Sequence, residues 1–217
     1  MAAGRTTMRP RLALQIAHIV AITEAEGPGR RFALWVQGCS LHCPGCCNPE
    51  LFPAVGGQML AVDDILSQLR QAAREHRVDG MTVVGGEPLE QLEALTALVV
   101  GTRSLGLGSI VFTGYTWNEA TLRPGFARLQ AALDTLVSGR FDARLREPPV
   151  GGRRFIGSTN QTLHHLSERY AAPELWRGAA TMELNIGPSG EVEASGDPEL
   201  QRRILLEMRR RESDFCE

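Results

Sequence analysis

Four cysteines fall within nine residues, Cys39, Cys43, Cys46 and Cys47, in a chain that has five in all. The first three make the pattern C-x3-C-x2-C, Cys39-Ser-Leu-His-Cys43-Pro-Gly-Cys46, on one loop. Three thiolates from one tight loop can hold three corners of a cubane iron–sulfur cluster, because such clusters take cysteine thiolate ligands. The fourth iron is then left without a protein ligand, and an open position on a metal centre points to substrate binding rather than to structure alone. The same spacing admits a zinc site with Cys47 or His42 as fourth ligand. Cysteines buried for packing alone are the weakest reading, since thiolates this close repel unless a cation or cluster compensates. An odd count, so tightly clustered, is also a poor disulfide framework. Cys216, two residues from the end, reads as an exposed terminal thiol.

A second group of residues lies downstream. Gly85-Gly86-Glu87-Pro88 offers backbone that a ligand can approach closely, because glycine has no Cβ. The adjacent carboxylate of Glu87 could accept hydrogen bonds from an ammonium group. An ordinary strand-to-helix turn accounts for the four residues equally well. His164-His165 reads as a partly exposed helix start rather than a ligand pair, because adjacent helical residues face different ways. His42 is expected to be solvated or to shield the cysteine loop, and Trp117 and Trp176 to pack.

The elements that must position these residues can be read from apolar periodicity. Phe32–Val36 is a short buried strand, and the cysteine loop follows it at once, broken by Pro44, Gly45 and Pro49. Residues 62–75 read as a helix with Ile65, Leu69 and Ala72 on one face and Asp63 and Asp64 at its N-terminal end. Residues 81–84 are a strand running into Gly85, 89–105 a helix, 109–112 a strand ending at Thr113, and 135–137 a further strand. Between the last two, 119–133 is a helix broken at Pro124-Gly125. Strands alternating with helices imply parallel βα units with right-handed crossovers. Cys39, Gly85 and Thr113 each fall just past the C-terminal end of a strand, the edge where α/β folds bind ligands. The chain is shorter than the ~250 residues of a full eight-unit barrel. The fold class expected is therefore α/β, an open partial (β/α) barrel. After about Gly152 the pattern changes to a hairpin, 181–194 with a turn at 187–190, and a C-terminal helix striped by Leu200, Ile204, Leu205 and Met208. The expected organisation is an N-terminal tail (1–17), a core domain (18–166) and a C-terminal hairpin-plus-helix extension (167–217).

Composition narrows the classes. Hydrophobic residues at 43% and charged ones at 22% are ordinary for a globular protein, within the size of one domain at 217 residues. A net charge of -2 leaves no polyanion-binding footprint, so nucleic acid is not an expected partner. No apolar run approaches the ~20 residues of a membrane helix, and no signal-peptide h-region follows Arg5, Arg9 and Arg11. A cytoplasmic protein without a membrane partner is expected. All 23 basic residues are arginine, so no lysine is available for a catalytic or ligand-binding role.

Taken in order, C-x3-C-x2-C after one strand and Gly-Gly-Glu-Pro after the next resemble the radical S-adenosylmethionine (SAM) superfamily. A closer likeness, to the activating proteins of anaerobic ribonucleotide reductase, runs from about His18 to Leu166. Gly27-Pro-Gly-Arg30, Trp35-Val-Gln-Gly-Cys39, Cys43-Pro-Gly-Cys46, Phe112-Thr-Gly-Tyr115, Leu136-Val-Ser-Gly-Arg-Phe141 and Gly157-Ser-Thr-Asn-Gln161 carry it. The resemblance implies one [4Fe–4S] cluster on Cys39, Cys43 and Cys46, with SAM chelating the open iron. Reductive cleavage of SAM would give a 5′-deoxyadenosyl radical, used to install a glycyl radical on a partner enzyme. It also implies that Gly45, Cys47, Asn48, Gly85, Gly86 and Glu87 line the SAM site, that Thr113 lies near the nucleoside, and that Arg140 stands where the family has a basic residue. Ser138 replaces the family's usual Asp, and Cys47 its usual aromatic residue. With no second cysteine cluster, an external electron donor such as flavodoxin or ferredoxin is needed. The competing readings are a radical SAM enzyme acting on another peptide or a small molecule, and a non-catalytic zinc- or cluster-binding module.

Overall fold

The computed structural model describes residues 11–187, 189–190 and 192–214. Its centre is one mixed seven-stranded sheet, in the order β3-β1-β2-β4-β5-β6-β7. The strands are β1 (Ala13–Thr23), β2 (Arg31–Val36), β3 (Gln58–Ala61), β4 (Gly80–Gly85), β5 (Gly108–Thr113), β6 (Thr135–Ser138) and β7 (Thr162–His165). β2, β4, β5 and β6 run parallel, while β1 is antiparallel to both β2 and β3, and β7 is antiparallel to β6. The parallel strands read as unbroken apolar runs because both of their faces are covered. In β2, Phe32, Leu34 and Val36 are almost wholly buried, and so is Ala33 between them. The expected α/β class is therefore found, as an open sheet with edges at β3 and β7.

The crossovers are helices whose apolar stripes meet the sheet. α1 (Val62–His76) buries Val62, Ile65, Leu69 and Ala72, with Asp63 and Asp64 in its first turn and Arg74 and His76 in its last. That charge order complements the helix dipole. α2 (Leu92–Ser104) buries Leu95, Leu98 and Val99 and follows a 3₁₀ turn over Pro88–Gln91. The helix expected over 119–133 is two short pieces, α3 (Trp117–Thr121) and α4 (Phe126–Gln130), parted at Pro124-Gly125. Thr116 and Glu119 close α3 with a reciprocal capping box. Among the described residues no helix is long and apolar enough to cross a membrane.

Two expectations change. Residues 13–17, placed in the N-terminal tail, belong to β1, which joins the main sheet to the edge strand β3. His164 and His165 are not a helix start but the end of β7. There Ser138 Oγ bonds His164 Nε2 at 2.8 Å and Thr135 Oγ1 bonds His165 Nδ1 at 3.1 Å. His164 also stacks on Trp117 at 4.3 Å between ring centroids, and burial lowers the pKa of both histidines. The extension packs on the core from its start. Tyr170 and Trp176 are buried beside Ile110, Val137 and Ile156, and the Trp176 indole donates to the Tyr170 carbonyl at 2.8 Å. Beyond them lie the hairpin β8 (Met182–Ile186) and β9 (Val192–Gly196) and the helix α5 (Pro198–Asp214). Cys216 and the tail over 1–10 lie outside the described residues, as do the side chains of Leu205 and Met208.

Tyr170 has a specific task. Arg31, the first residue of β2, is wholly buried and donates to Thr82 Oγ1 at 3.0 Å, to the Met81 carbonyl and to the Tyr170 hydroxyl. Its guanidinium also lies over the Tyr170 ring, 4.9 Å from the centroid. Burial pulls its pKa down, against the opposing pull of Tyr170. Removing one acceptor from a buried charged donor costs about 1–3 kcal/mol. Tyr170→Phe is therefore expected to lower the unfolding free energy by that amount in urea, against less than about 0.5 kcal/mol for the exposed Leu122→Ala.

Candidate cluster and ligand site

The loops at the C-terminal ends of the parallel strands meet over one cavity of about 690 Å³. β2 leads into the cysteine loop, β4 into Gly85-Gly86-Glu87, β5 into Thr113 and Gly114, and β6 into Gly139 and Phe141. Backbone bonds lock the first two loops together. The Gly86 N–H donates to the Val36 carbonyl and the Glu87 N–H to the Gly38 carbonyl, both at 2.8 Å. A Cβ on Gly86 would stand 2.2 Å from the Gly38 oxygen, and one on Gly85, whose φ is +103°, 2.7 Å from the Val36 nitrogen. Both positions therefore need glycine.

Of the three thiols of the C-x3-C-x2-C pattern, that of Cys46 accepts the Asn48 N–H at 3.5 Å. The Cys43–Cys46 segment is a tight turn closed by the Cys46 N–H on the Cys43 carbonyl at 3.1 Å, with Pro44 then Gly45 at its centre. Gly45 sits at φ +74°, as the third position of a proline-led turn requires. Burial pushes the Cys39 and Cys43 thiols up. Cys46 is pulled down to about 6, first because the Cys47 thiol donates to it, and Cys47 is raised in return. Cys47 is exposed, and His42, also exposed, packs its ring 4.7 Å from that of Phe52.

Three thiols held half-buried on one loop suit an iron–sulfur cluster, which takes cysteine thiolate ligands. Among the described residues no three His, Cys, Asp or Glu side chains converge closely enough for a single metal ion. A cubane, whose irons sit on separate corners, makes no such demand.

Glu87 is a buried, multiply bonded carboxylate of the site. It is 1% exposed, and its carboxylate accepts from the Leu89 N–H at 2.9 Å, the Thr113 hydroxyl at 2.7 Å and the Gly114 N–H at 2.8 Å. Burial raises its pKa to about 7 despite these three donors. The carboxylate thus ties the ends of β4 and β5 together, where the sequence pointed to an ammonium partner.

Of the residues expected at the site, Cys39, Cys43, Cys46, Cys47, Asn48, Gly85, Gly86, Glu87 and Thr113 line the cavity. Gly45 and Arg140 do not. Gly45 serves the turn and faces Ala143, and Arg140 pairs with Glu119 at 2.8 and 3.1 Å on the surface. Two arginines that sequence reasoning passed over, Arg146 and Arg203, line the cavity instead. Arg146 lies over the Phe141 ring, 5.2 Å from its centroid. Trp35, Phe112 and Phe155 add apolar wall, and the stretch from Ala194 to Gln201 forms one side. No local pattern announces that last contribution.

Residues 25–164 match the model of the 4Fe-4S single cluster domain family. The anaerobic ribonucleoside-triphosphate reductase-activating protein of Salmonella typhi is 34% identical over 148 residues, which cover 65% of this chain and 92% of that protein. Its namesake in Escherichia coli K12 is 32% identical over the same coverage. A putative glycyl-radical enzyme activating enzyme of Haemophilus influenzae is 34% identical over 91 residues, 41% of this chain and 34% of that protein.

Two outcomes are expected. Gly86→Ala, which would force the Gly38 carbonyl away, should cost about 1–3 kcal/mol and reduce the iron bound on anaerobic reconstitution. The second concerns pH. Because the native pKa of Glu87 is raised from 4.5 to about 7, its contribution to stability is fully present below 4.5 and is lost as pH rises to 7. The wild-type chain, freed of iron, should lose stability relative to Glu87→Gln over that window, as followed by urea unfolding at successive pH values.

Proposed function

The chain belongs to the 4Fe-4S single cluster domain family and to that of the anaerobic ribonucleoside-triphosphate reductase-activating proteins. On that premise we propose that it is a radical SAM oxidoreductase that installs a glycyl radical on a ribonucleotide reductase-type partner. The observation that carries the reading is the juxtaposition of three half-buried thiols on one loop with the Gly85-Gly86-Glu87 edge and Thr113 on one cavity. We read the open sheet as the partial barrel of that superfamily, with residues 18–166 as its core.

Cys39, Cys43 and Cys46 would hold the [4Fe–4S] cluster, which when bound supplies the electron and the open coordination site for cleaving SAM. The remaining work falls to the chain. The glycine pair leaves backbone bare beside the cysteine loop, so that an amino-acid head group can come close. Glu87 fixes Thr113 and Gly114 through its three bonds and acts as a positioning residue. Asn48 and Cys47 flank the same edge. Arg146 and Arg203 give the cavity its cations, which suit the carboxylate of SAM. Trp35, Phe112 and Phe155 keep water from a reactive radical. The electron enters from an external donor of the flavodoxin or ferredoxin kind.

The test is anaerobic incubation of the iron-loaded protein with SAM, dithionite and a purified anaerobic ribonucleoside-triphosphate reductase. The expected products are 5′-deoxyadenosine and a glycyl-radical electron paramagnetic resonance signal on the reductase. Alanine at Cys39, Cys43 or Cys46 should abolish both and strip the iron, whereas Cys47→Ala should retain the iron. Loss of iron in Cys47→Ala, or full iron in Cys43→Ala, would refute the ligand assignment.

A further inference from the structure

The hairpin and helix at the C-terminus lie beyond residue 164, where the match to the family model ends. The match with the Salmonella protein leaves under a tenth of that protein unaccounted for. Such a segment could sit anywhere on the surface, but it sits at the cavity. Thr23 Oγ1 and Ser195 Oγ, both buried, bond at 3.2 Å. The Gly196 N–H donates to Glu26 at 2.6 Å, and the Glu24 N–H donates to Glu183 at 2.8 Å. A Cβ on Gly196 would stand 2.7 Å from that of Ala25, so the seat is close-fitting. Anchored there, the end of β9 and the first turns of α5 make one wall of the cavity that the cysteines line from the other side.

From that wall the hairpin carries an apolar face outward. Strand pairing sets Ile186 opposite Val192 and Leu184 opposite Ala194, and the period of two places all four on one face. Leu184 is 43% exposed, Ile186 74% and Val192 52%. Ala194 is exposed too and belongs to the cavity lining, so the apolar face and the cavity are continuous. An uncovered apolar sheet face beside a reaction site marks an interaction surface rather than chance exposure.

We propose that the β8–β9 face, Leu184, Ile186, Val192 and Ala194, is the docking surface on which the partner protein lays an extended apolar segment as it presents its glycine to the cavity. The occupant follows from the position. A hydrogen abstracted from a backbone Cα requires that backbone to enter the cavity, so the flanking polypeptide must cross the rim, and here the rim is this face. A second copy of the chain seated there would obstruct the mouth instead. The inference rests on the activase reading given above.

The test uses the full iron-loaded chain with Leu184→Asp/Ile186→Asp, and Val100→Asp on the outer side of α2 as a control. Three quantities are read: 5′-deoxyadenosine formed from SAM and dithionite without partner, the dependence of glycyl-radical yield on reductase concentration, and circular dichroism. The expected result is unchanged partner-free cleavage and spectrum, with the reductase concentration for half-maximal yield raised about tenfold or more in the double variant alone. Should that variant unfold, the milder Ile186→Ser is expected to give the same split at a smaller size. An unchanged concentration dependence in folded variants, or an equal shift in Val100→Asp, would overturn the docking surface and leave the activase reading standing. A wild-type chain that cleaves SAM but leaves the reductase without a radical would overturn the activase reading, and this proposal with it.

Discussion

The site depends on how closely two backbones approach. Gly85 and Gly86 lie against the end of β2 so tightly that even one methyl group would collide with Val36 or Gly38. Two hydrogen bonds at 2.8 Å hold the approach in place, and Cys39 is the next residue along. The first of the proposed cluster ligands is thereby fixed to the edge of β4. Everything placed on that edge inherits its position from a contact between main chains, which side-chain motion cannot loosen.

A second constraint is electrostatic. The ends of β4 and β5 are joined by a buried carboxylate whose burial makes ionisation costly and whose three donors make it tolerable. At the opposite end of the sheet, Arg31 is buried and bonds to Tyr170, Thr82 and the Met81 carbonyl, with no carboxylate bonded to it among the described residues. Each end of the parallel sheet is thus pinned by a charge that is worth keeping only while all its partners stay in place. Tyr170 belongs to the C-terminal part of the chain, so that part stabilises the core as well as shaping the cavity.

What could be read from sequence was what is local. The thiol spacing, the glycine pair and the apolar runs of β2, β4 and β5 each carry their signal within ten residues, and the structure has them at one sheet edge. β1 was missed because its exposed and buried positions do not alternate cleanly, and β3 because four residues leave no pattern. β7 reads as a helix start because Thr162–His165 becomes a strand only through pairing with Thr135 and Ser138. Ser138, where the resemblance expects Asp, finds His164, a partner 26 residues away. The ion pair of Arg140 with Glu119 joins residues 21 apart, and no short window shows it. The bond between Thr23 and Ser195 spans 172 residues, and no sequence window holds both.

We propose from these features a loop of three thiols, set beside a bare glycine edge, that would leave one iron of a four-iron cluster for SAM. Mössbauer spectroscopy of the ⁵⁷Fe-reconstituted protein, with and without SAM, tests that claim most directly. The account predicts that about one iron in four changes its isomer shift and quadrupole splitting when SAM is added, because only the iron without a cysteine gains new ligands. A spectrum in which all four irons stay unchanged by SAM, or in which the metal is bound singly rather than as a cluster, would contradict it.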